Sequence, residues 1–273
     1  MSDGSGASQS LSNLNSNWYE HFFAGEALEL WRRAISHETT EEEVRFLCEV
    51  LEVQPGGHLL DVPCGNGRLS LPLCQVGYKI TAVDFCLEFL DEARSALTKL
   101  KASADKGSAA GGAMPEVDFV RADMLSLSWS DQFDGAYCMG NSFGYFDREG
   151  TRQFLGSVAR SLRAGAKFVL DSAMLAESFL LNGGEREWVQ LDDMYMLVEN
   201  IYSPRLSCVE TNYTFMRAGK EEKRQSTHWI YTCGELCAML ESSGFSVLEL
   251  LSSTDFEPYE LGSERLLLIA EKQ

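Results

Sequence analysis

The chain has 273 residues, of which 45% are hydrophobic and 23% charged, a globular composition that excludes a disordered or fibrous chain and allows one large domain or two modest ones. Its 41 acidic against 23 basic side chains leave a net charge of −18, a field that repels phosphate backbones and anionic membranes. The densest basic stretch, 220–224, is interrupted by Glu221 and Glu222 and reads as a solvated turn, so neither nucleic acid nor membrane is expected as a partner.

Residues 1–16 are rich in Ser, Gly and Asn and read as a flexible tail. Residues 1–17 lack the basic region and apolar core of a targeting signal, and no run approaches the ~18 apolar residues of a membrane helix. A cytoplasmic address is the default expectation. Between 18 and 51 apolar residues recur at helical spacing, as in Leu28, Trp31 and Ala34 or Val44, Leu47, Cys48 and Leu51. Thr39 or Thr40 is the expected cap ahead of the acidic residues Glu41 to Glu43, and two or more helices precede the first strand.

Beyond them short β-rich runs at 58–62, 79–83, 117–121, 134–139 and 167–171 alternate with helical stretches at 68–76, 87–100 and 148–162. Such alternation predicts a parallel sheet covered by helices on both faces. The Ala/Gly/Ser-rich stretch 101–115 reads as an exposed loop. From 185 to 231 the rhythm changes to strands without helices, at 187–191, 194–202, 206–217 and 224–231, joined by short turns: an antiparallel insertion. A helix at 234–243, closed by Gly244, and two strands at 246–251 and 265–271 complete the chain; joined without a helix, those strands must run antiparallel. The expectation is one α/β domain over 17–273, Rossmann-like, with a helical cap at 18–55 and the insertion at 185–231 as a lid. Eight cysteines lie mostly in apolar segments and read as buried thiols. Cys233 and Cys237 stand four apart, but no second pair or histidine cluster accompanies them, so no metal is expected.

The strongest chemical signal is the segment from His58 to Arg68, a strand that ends in Asp61 and turns through Cys64, Gly65, Asn66 and Gly67 towards a helix. Glycines there let the backbone approach a ligand, and the helix start offers unpaired N–H groups. Asn66 tolerates positive φ, and Pro63 stiffens the approach. A second carboxylate, Asp84, follows the second strand, where it can accept from ribose hydroxyls. A dinucleotide fingerprint requires a third glycine where this chain has Ser70, and Asp61 would crowd a pyrophosphate; its charge suits a cation instead. A nicotinamide-linked oxidoreductase is thereby disfavoured.

Asp61, Gly65, Gly67 and Asp84, in this order, resemble the class I S-adenosylmethionine-dependent methyltransferases, a seven-stranded Rossmann-like family. The resemblance implies that Asp123 and Met124, after the third strand, contact adenine. It further implies cofactor contacts at Phe85, Met139 and Cys64, the last as a small residue that fits the turn. The fourth-strand loop, Met139-Gly-Asn-Ser-Phe143, and the segment from Phe23 to Trp31 resemble the glycine and sarcosine N-methyltransferase group over about residues 18–172. On that likeness Tyr19 and Trp31 cover the cofactor. The chain departs from the group where its arginine shortly after the tryptophan has no match in 36–40.

Methyl transfer from a sulfonium is an in-line displacement with a good leaving group, so alignment and exclusion of water are the protein's main tasks. Candidates for substrate-side roles are Asn141 and Tyr145 in the fourth-strand loop, with Tyr213 and Arg217 as further pocket residues, and His228, whose ordinary titration range suits a base. The resemblance implies S-adenosylmethionine as cofactor, without a metal, and a small-molecule amine as acceptor. The alternatives are an oxygen or carbon acceptor, or a regulatory binder of the cofactor without catalysis. Homo-oligomerisation is left open.

Overall fold

The computed structural model describes residues 17–107 and 116–273. The tail expected at 1–16 and the 108–115 part of the expected loop lie outside the described residues. Three helices, α1 (Tyr19–Phe22), α2 (Gly25–Ala34) and α3 (His37–Leu51), precede the first strand. The cap of α3 is Ser36, not Thr39 or Thr40: Ser36 is extended and its Oγ accepts from the Thr39 N–H at 3.0 Å, whereas both threonines are already helical.

The main sheet contains β1 (His58–Asp61), β2 (Lys79–Asp84), β3 (Val117–Arg121), β4 (Phe133–Cys138), β5 (Leu162–Ser172), β10 (Phe245–Leu251) and β11 (Leu266–Lys272), in the order β10-β11-β5-β4-β1-β2-β3. Pairings among β1 to β5 are parallel, and β11 is antiparallel to both its neighbours. Helices α3, α4 (Ser70–Val76) and α5 (Leu87–Gly107) pack on one face; α6 (Arg148–Ser161) and α8 (Cys233–Ser242) pack on the other. Alternate strand residues therefore enter opposite cores, Leu59, Tyr137 and Val169 one and Leu60, Ala136 and Leu170 the other. This is why the strands read as unbroken apolar runs. Strand order reverses between β1 and β4, the switch point where a crevice opens beyond the strand ends.

Helix α5 continues through 101–107, part of the stretch expected to be a loop, because Ala102, Ala104 and Lys101 favour the helix they extend. A second helix with no sequence expectation, α7 (Ala176–Asn182), leads from the main sheet into the insertion.

The insertion is an antiparallel four-stranded sheet of β6 (Arg186–Leu191), β7 (Met194–Ser203), β8 (Cys208–Arg217) and β9 (Lys220–Trp229). Residues 220–224 are thus the start of β9 and not a solvated turn: Glu222 accepts from the Glu26 N–H at 3.1 Å, and Arg224 donates to the carbonyl oxygens of Phe22 and Ala24. These bonds clasp the helical cap to the sheet. An aromatic core of Trp18, Phe22, Leu30, Tyr145, Met194 and Phe215 fills the space between. The Trp18 Nε1–H donates to the Thr227 carbonyl at 2.8 Å, which satisfies the indole's polar atom inside it.

Among the described residues no helix is long and apolar enough to cross a membrane, and no three His, Cys, Asp or Glu side chains cluster as a metal site would require.

Candidate active site

The crevice at the switch point is a cavity of about 990 Å³. Its walls include Tyr19, Trp31, Asp61, Cys64, Gly65, Asn66, Gly67, Asp84, Phe85, Asp123, Met124 and Met139, the twelve residues expected around a cofactor. They arrive from five places: the cap, the ends of β1 and β2, the turn after β3, and the end of β4.

Asp61 is buried and its Oδ2 accepts from Ser70 Oγ at 2.5 Å. The residue that breaks the dinucleotide fingerprint therefore holds the carboxylate in place. Burial pushes the Asp61 carboxyl up to about 7, against the Ser70 hydrogen bond and the Arg68 charge, which pull it down. Asp84 Oδ2 accepts from the Gly65 N–H at 2.7 Å and its Oδ1 from the Cys86 N–H at 2.8 Å. One carboxylate thus ties the glycine turn to the end of β2. Burial raises its pKa and these backbone donors oppose the rise.

Gly65 and Gly67 have φ of +54° and +78°. A Cβ at Gly67 would also stand 3.1 Å from the Phe119 ring, so that position demands glycine for conformation and space together. Helix α4 starts at Ser70, two residues later than expected, so the turn's own backbone rather than a helix start faces the crevice. Asp123 caps a single 3₁₀ turn at Met124–Ser126, its Oδ1 accepting from the Leu125 N–H at 2.9 Å. Tyr19 stacks on Tyr145 with ring centroids 6.2 Å apart and meets Phe85 edge-on at 6.3 Å.

A second cavity, of about 480 Å³, lies between the cap and the inner face of the antiparallel sheet. It shares Phe23, Trp31, Ile35, Gly140 and Tyr145 with the first, so the two chambers abut at these side chains. Asn141, Tyr145, Tyr213 and His228 all line it. Arg217 does not, contrary to expectation: its Nε pairs with Glu26 Oε2 at 2.8 Å, where it fastens β8 to α2.

His228 also departs from its expected chemistry. It is buried, in ring contact with Trp18 at 5.0 Å and Tyr145 at 5.3 Å, and among the described residues its side-chain hydrogen-bond neighbour is Ser226 Oγ at 3.4 Å. Desolvation pushes its pKa down to about 4, so the ring is neutral at physiological pH and a weak base. At saturating cofactor, turnover is expected to show no inflection near the ordinary histidine range. His228→Ala is expected to leave S-adenosylhomocysteine affinity within about twofold while lowering turnover about tenfold or more, the scale of a lost substrate hydrogen bond; calorimetry and a pH–rate profile check both.

Asn141 is held rather than free. It adopts φ +58°, and its side-chain carbonyl accepts from the Ala173 N–H at 2.8 Å. Its backbone N–H and that of Gly140 donate to Asp171 Oδ2 at 3.1 and 2.9 Å. Asp171 and its partners were not anticipated from the sequence. Asp171 Oδ1 accepts from Arg265 Nε at 3.0 Å; Arg265 also pairs with Glu43, which pairs in turn with Arg68 at 2.6 Å. This ionic chain, with its two carboxylates buried, joins the fourth-strand loop, β5, the approach to β11, α3 and the end of the glycine turn. A signal for it existed: Asp171 ends an apolar run, as Asp61 and Asp84 do. Arg45, also unanticipated, lines the first cavity, is exposed, and has no ion-pair partner among the described residues.

Residues 59–165 match the family described as a methyltransferase domain. Mouse (Mus musculus) glycine N-methyltransferase is 28% identical over 159 residues, 56% of this chain and 53% of that protein. The chain thus spans about half the length of the first curated relatives it matches. Among solved structures, the CcbJ methyltransferase from Streptomyces caelestis superposes with a TM-score of 0.75 at 14% identity, covering 94% of this chain and 99% of that one. The sugar N-methyltransferase KedS8 from Streptoalloteichus superposes with a TM-score of 0.63 at 19% identity, covering 92% and 93%. Each of these two structural likenesses covers more than nine-tenths of this chain.

Proposed function

We propose that this chain, a class I S-adenosylmethionine-dependent methyltransferase by its fold and its methyltransferase domain, transfers a methyl group from that cofactor to a small-molecule amine. The observation that carries the reading is the pair of abutting chambers, one walled by acid-ended parallel strands and a glycine turn, the other closed by aromatic side chains. A regulatory binder needs only the first. The amine is favoured by the N-methylating relatives named above.

The residues present fit the cofactor. A backbone cradle at Gly65 has nothing within 4 Å of where a side chain would begin, and a cavity of about 990 Å³ adjoins two buried carboxylates. Asp84 would accept from the ribose hydroxyls, Asp61 would face the cationic amino end, and Asp123 with Met124 would bracket the adenine. Arg45 would meet the anionic carboxylate end, and Tyr19 and Trp31 would shut out water. When bound, the cofactor would supply an electrophilic methyl on a sulfonium leaving group to an acceptor lone pair held in the second chamber. The remaining work is alignment, which the fixed 140–145 loop and the aromatic wall perform.

The test is calorimetric titration with S-adenosylhomocysteine, followed by mass spectrometry for the methylated product. Binding is expected with S-adenosylhomocysteine and not with NAD; the reverse selectivity would overturn the reading. The Asp61 pKa of about 7 adds a pH dependence. A cation favours the ionised carboxyl, so binding releases a proton wherever the free protein holds one. Affinity should therefore fall as pH drops below about 7, by up to tenfold per unit, and the fall should flatten in Asp61→Asn.

A further inference from the structure

The second chamber has a chemical character that its shape alone does not require: no Lys, Arg, Asp or Glu lines it among the described residues. Its walls are aromatic (Trp18, Phe22, Trp31, Tyr213) and aliphatic (Met196, Val198), with few polar atoms, several of them already hydrogen-bonded within the protein. Thr211 Oγ1 donates to Asn200 Oδ1 at 2.8 Å, and Ser226 Oγ reaches Tyr213 and His228 at 3.4 Å each. Three arginines of the insertion have carboxylate partners. Arg217 is paired with Glu26, Arg224 with Glu222, and Arg186 with Glu199. His228, the one titratable nitrogen in the wall, is neutral.

We infer that the acceptor is an uncharged, largely apolar molecule, aromatic or aliphatic in its body, that enters with its nucleophilic lone pair already free, and that amino-acid zwitterions are excluded. The inference rests on the methyl-transfer reading and narrows it. A carboxylate moved from water into this chamber would meet no cation and few free donors, a desolvation without compensation. A protonated alkylamine would meet aromatic faces but no carboxylate to balance its charge, and while protonated the nitrogen has no lone pair to offer. A weakly basic amine escapes both difficulties. On transfer it gains one N–C bond and the positive charge that the sulfonium loses, and its proton then leaves to solvent. The resemblance to a glycine-methylating group accordingly does not carry over to the acceptor itself.

The probes are para-toluidine and para-aminobenzoate, which share an aromatic amine and differ by a methyl against a carboxylate. S-adenosylhomocysteine is titrated first and alone, so a failed cofactor reading appears as the absence of that heat. The two probes are then titrated by saturation-transfer NMR with and without it, and the chamber is read either way. Para-toluidine is expected to bind about tenfold more tightly or better. Val198→Arg, which sets a cation in the wall, is expected to reverse the order while leaving S-adenosylhomocysteine affinity unchanged within about twofold. Equal or tighter binding of para-aminobenzoate by the unaltered protein, or binding of neither probe, overturns the inference, as does an order unmoved by Val198→Arg.

Discussion

Asp84→Ala is expected to weaken S-adenosylhomocysteine binding by about 1.5–3 kcal/mol, or about 10- to 150-fold in Kd, the scale of a hydrogen bond to a charged group. The effect has two sources that the structure separates. Both carboxylate oxygens already accept backbone N–H groups, from Gly65 and Cys86, and each keeps lone-pair capacity towards the cavity. Alanine removes the ligand contact and also frees the glycine turn, leaving two N–H groups without their acceptor. Asp84→Asn tells the sources apart. Its side-chain oxygen can still accept from one of the two N–H groups, so it should recover part of the fold stability while binding remains weak. Calorimetry on both variants, with a denaturation curve for each, checks this; unchanged affinity in Asp84→Ala would remove the residue from the site.

Asp171→Ala is expected to lower the unfolding free energy by about 3 kcal/mol, read as a shift in the urea midpoint at constant slope. The carboxylate is buried, accepts from the backbone of Gly140 and Asn141, and opposes Arg265. Its loss strands three donors. The figure is kept to the lower end of the range for broken buried pairs because the Arg265 side chain is 30% exposed and retains Glu43. Turnover should fall more than stability predicts, because the residues released, Gly140 and Asn141, form the wall near which the two chambers meet. Asp171→Ala with native stability and native turnover would show that the ionic chain from Arg68 to Asp171 contributes nothing to positioning.

The main sheet was legible because its signals are local. Strands buried on both faces must be apolar throughout, a glycine at positive φ has few substitutes, and acidic residues at the ends of β1 and β2 stand out against the apolar runs they close. The insertion was legible for the same reason, through strand lengths and turn residues. Positions 39, 40 and 101–107 went astray where neighbouring residues were chemically equivalent and only backbone conformation chose among them.

What the amino-acid sequence by itself determined was the order of the main-sheet and insertion strands and twelve of the residues that line the first cavity. What only the tertiary structure decided was the second chamber and the state of the groups around it. His228 reads as a titrating base until burial among Trp18 and Tyr145 removes the water that would stabilise its charge. Arg217 reads as a pocket cation until α2 brings Glu26 against it. Glu43 and Arg265 are separated by most of the chain and meet because α3 packs beside β5 and β11. Desolvation and long-range pairing depend on which segments become neighbours, and that information belongs to packing rather than to spacing along the chain.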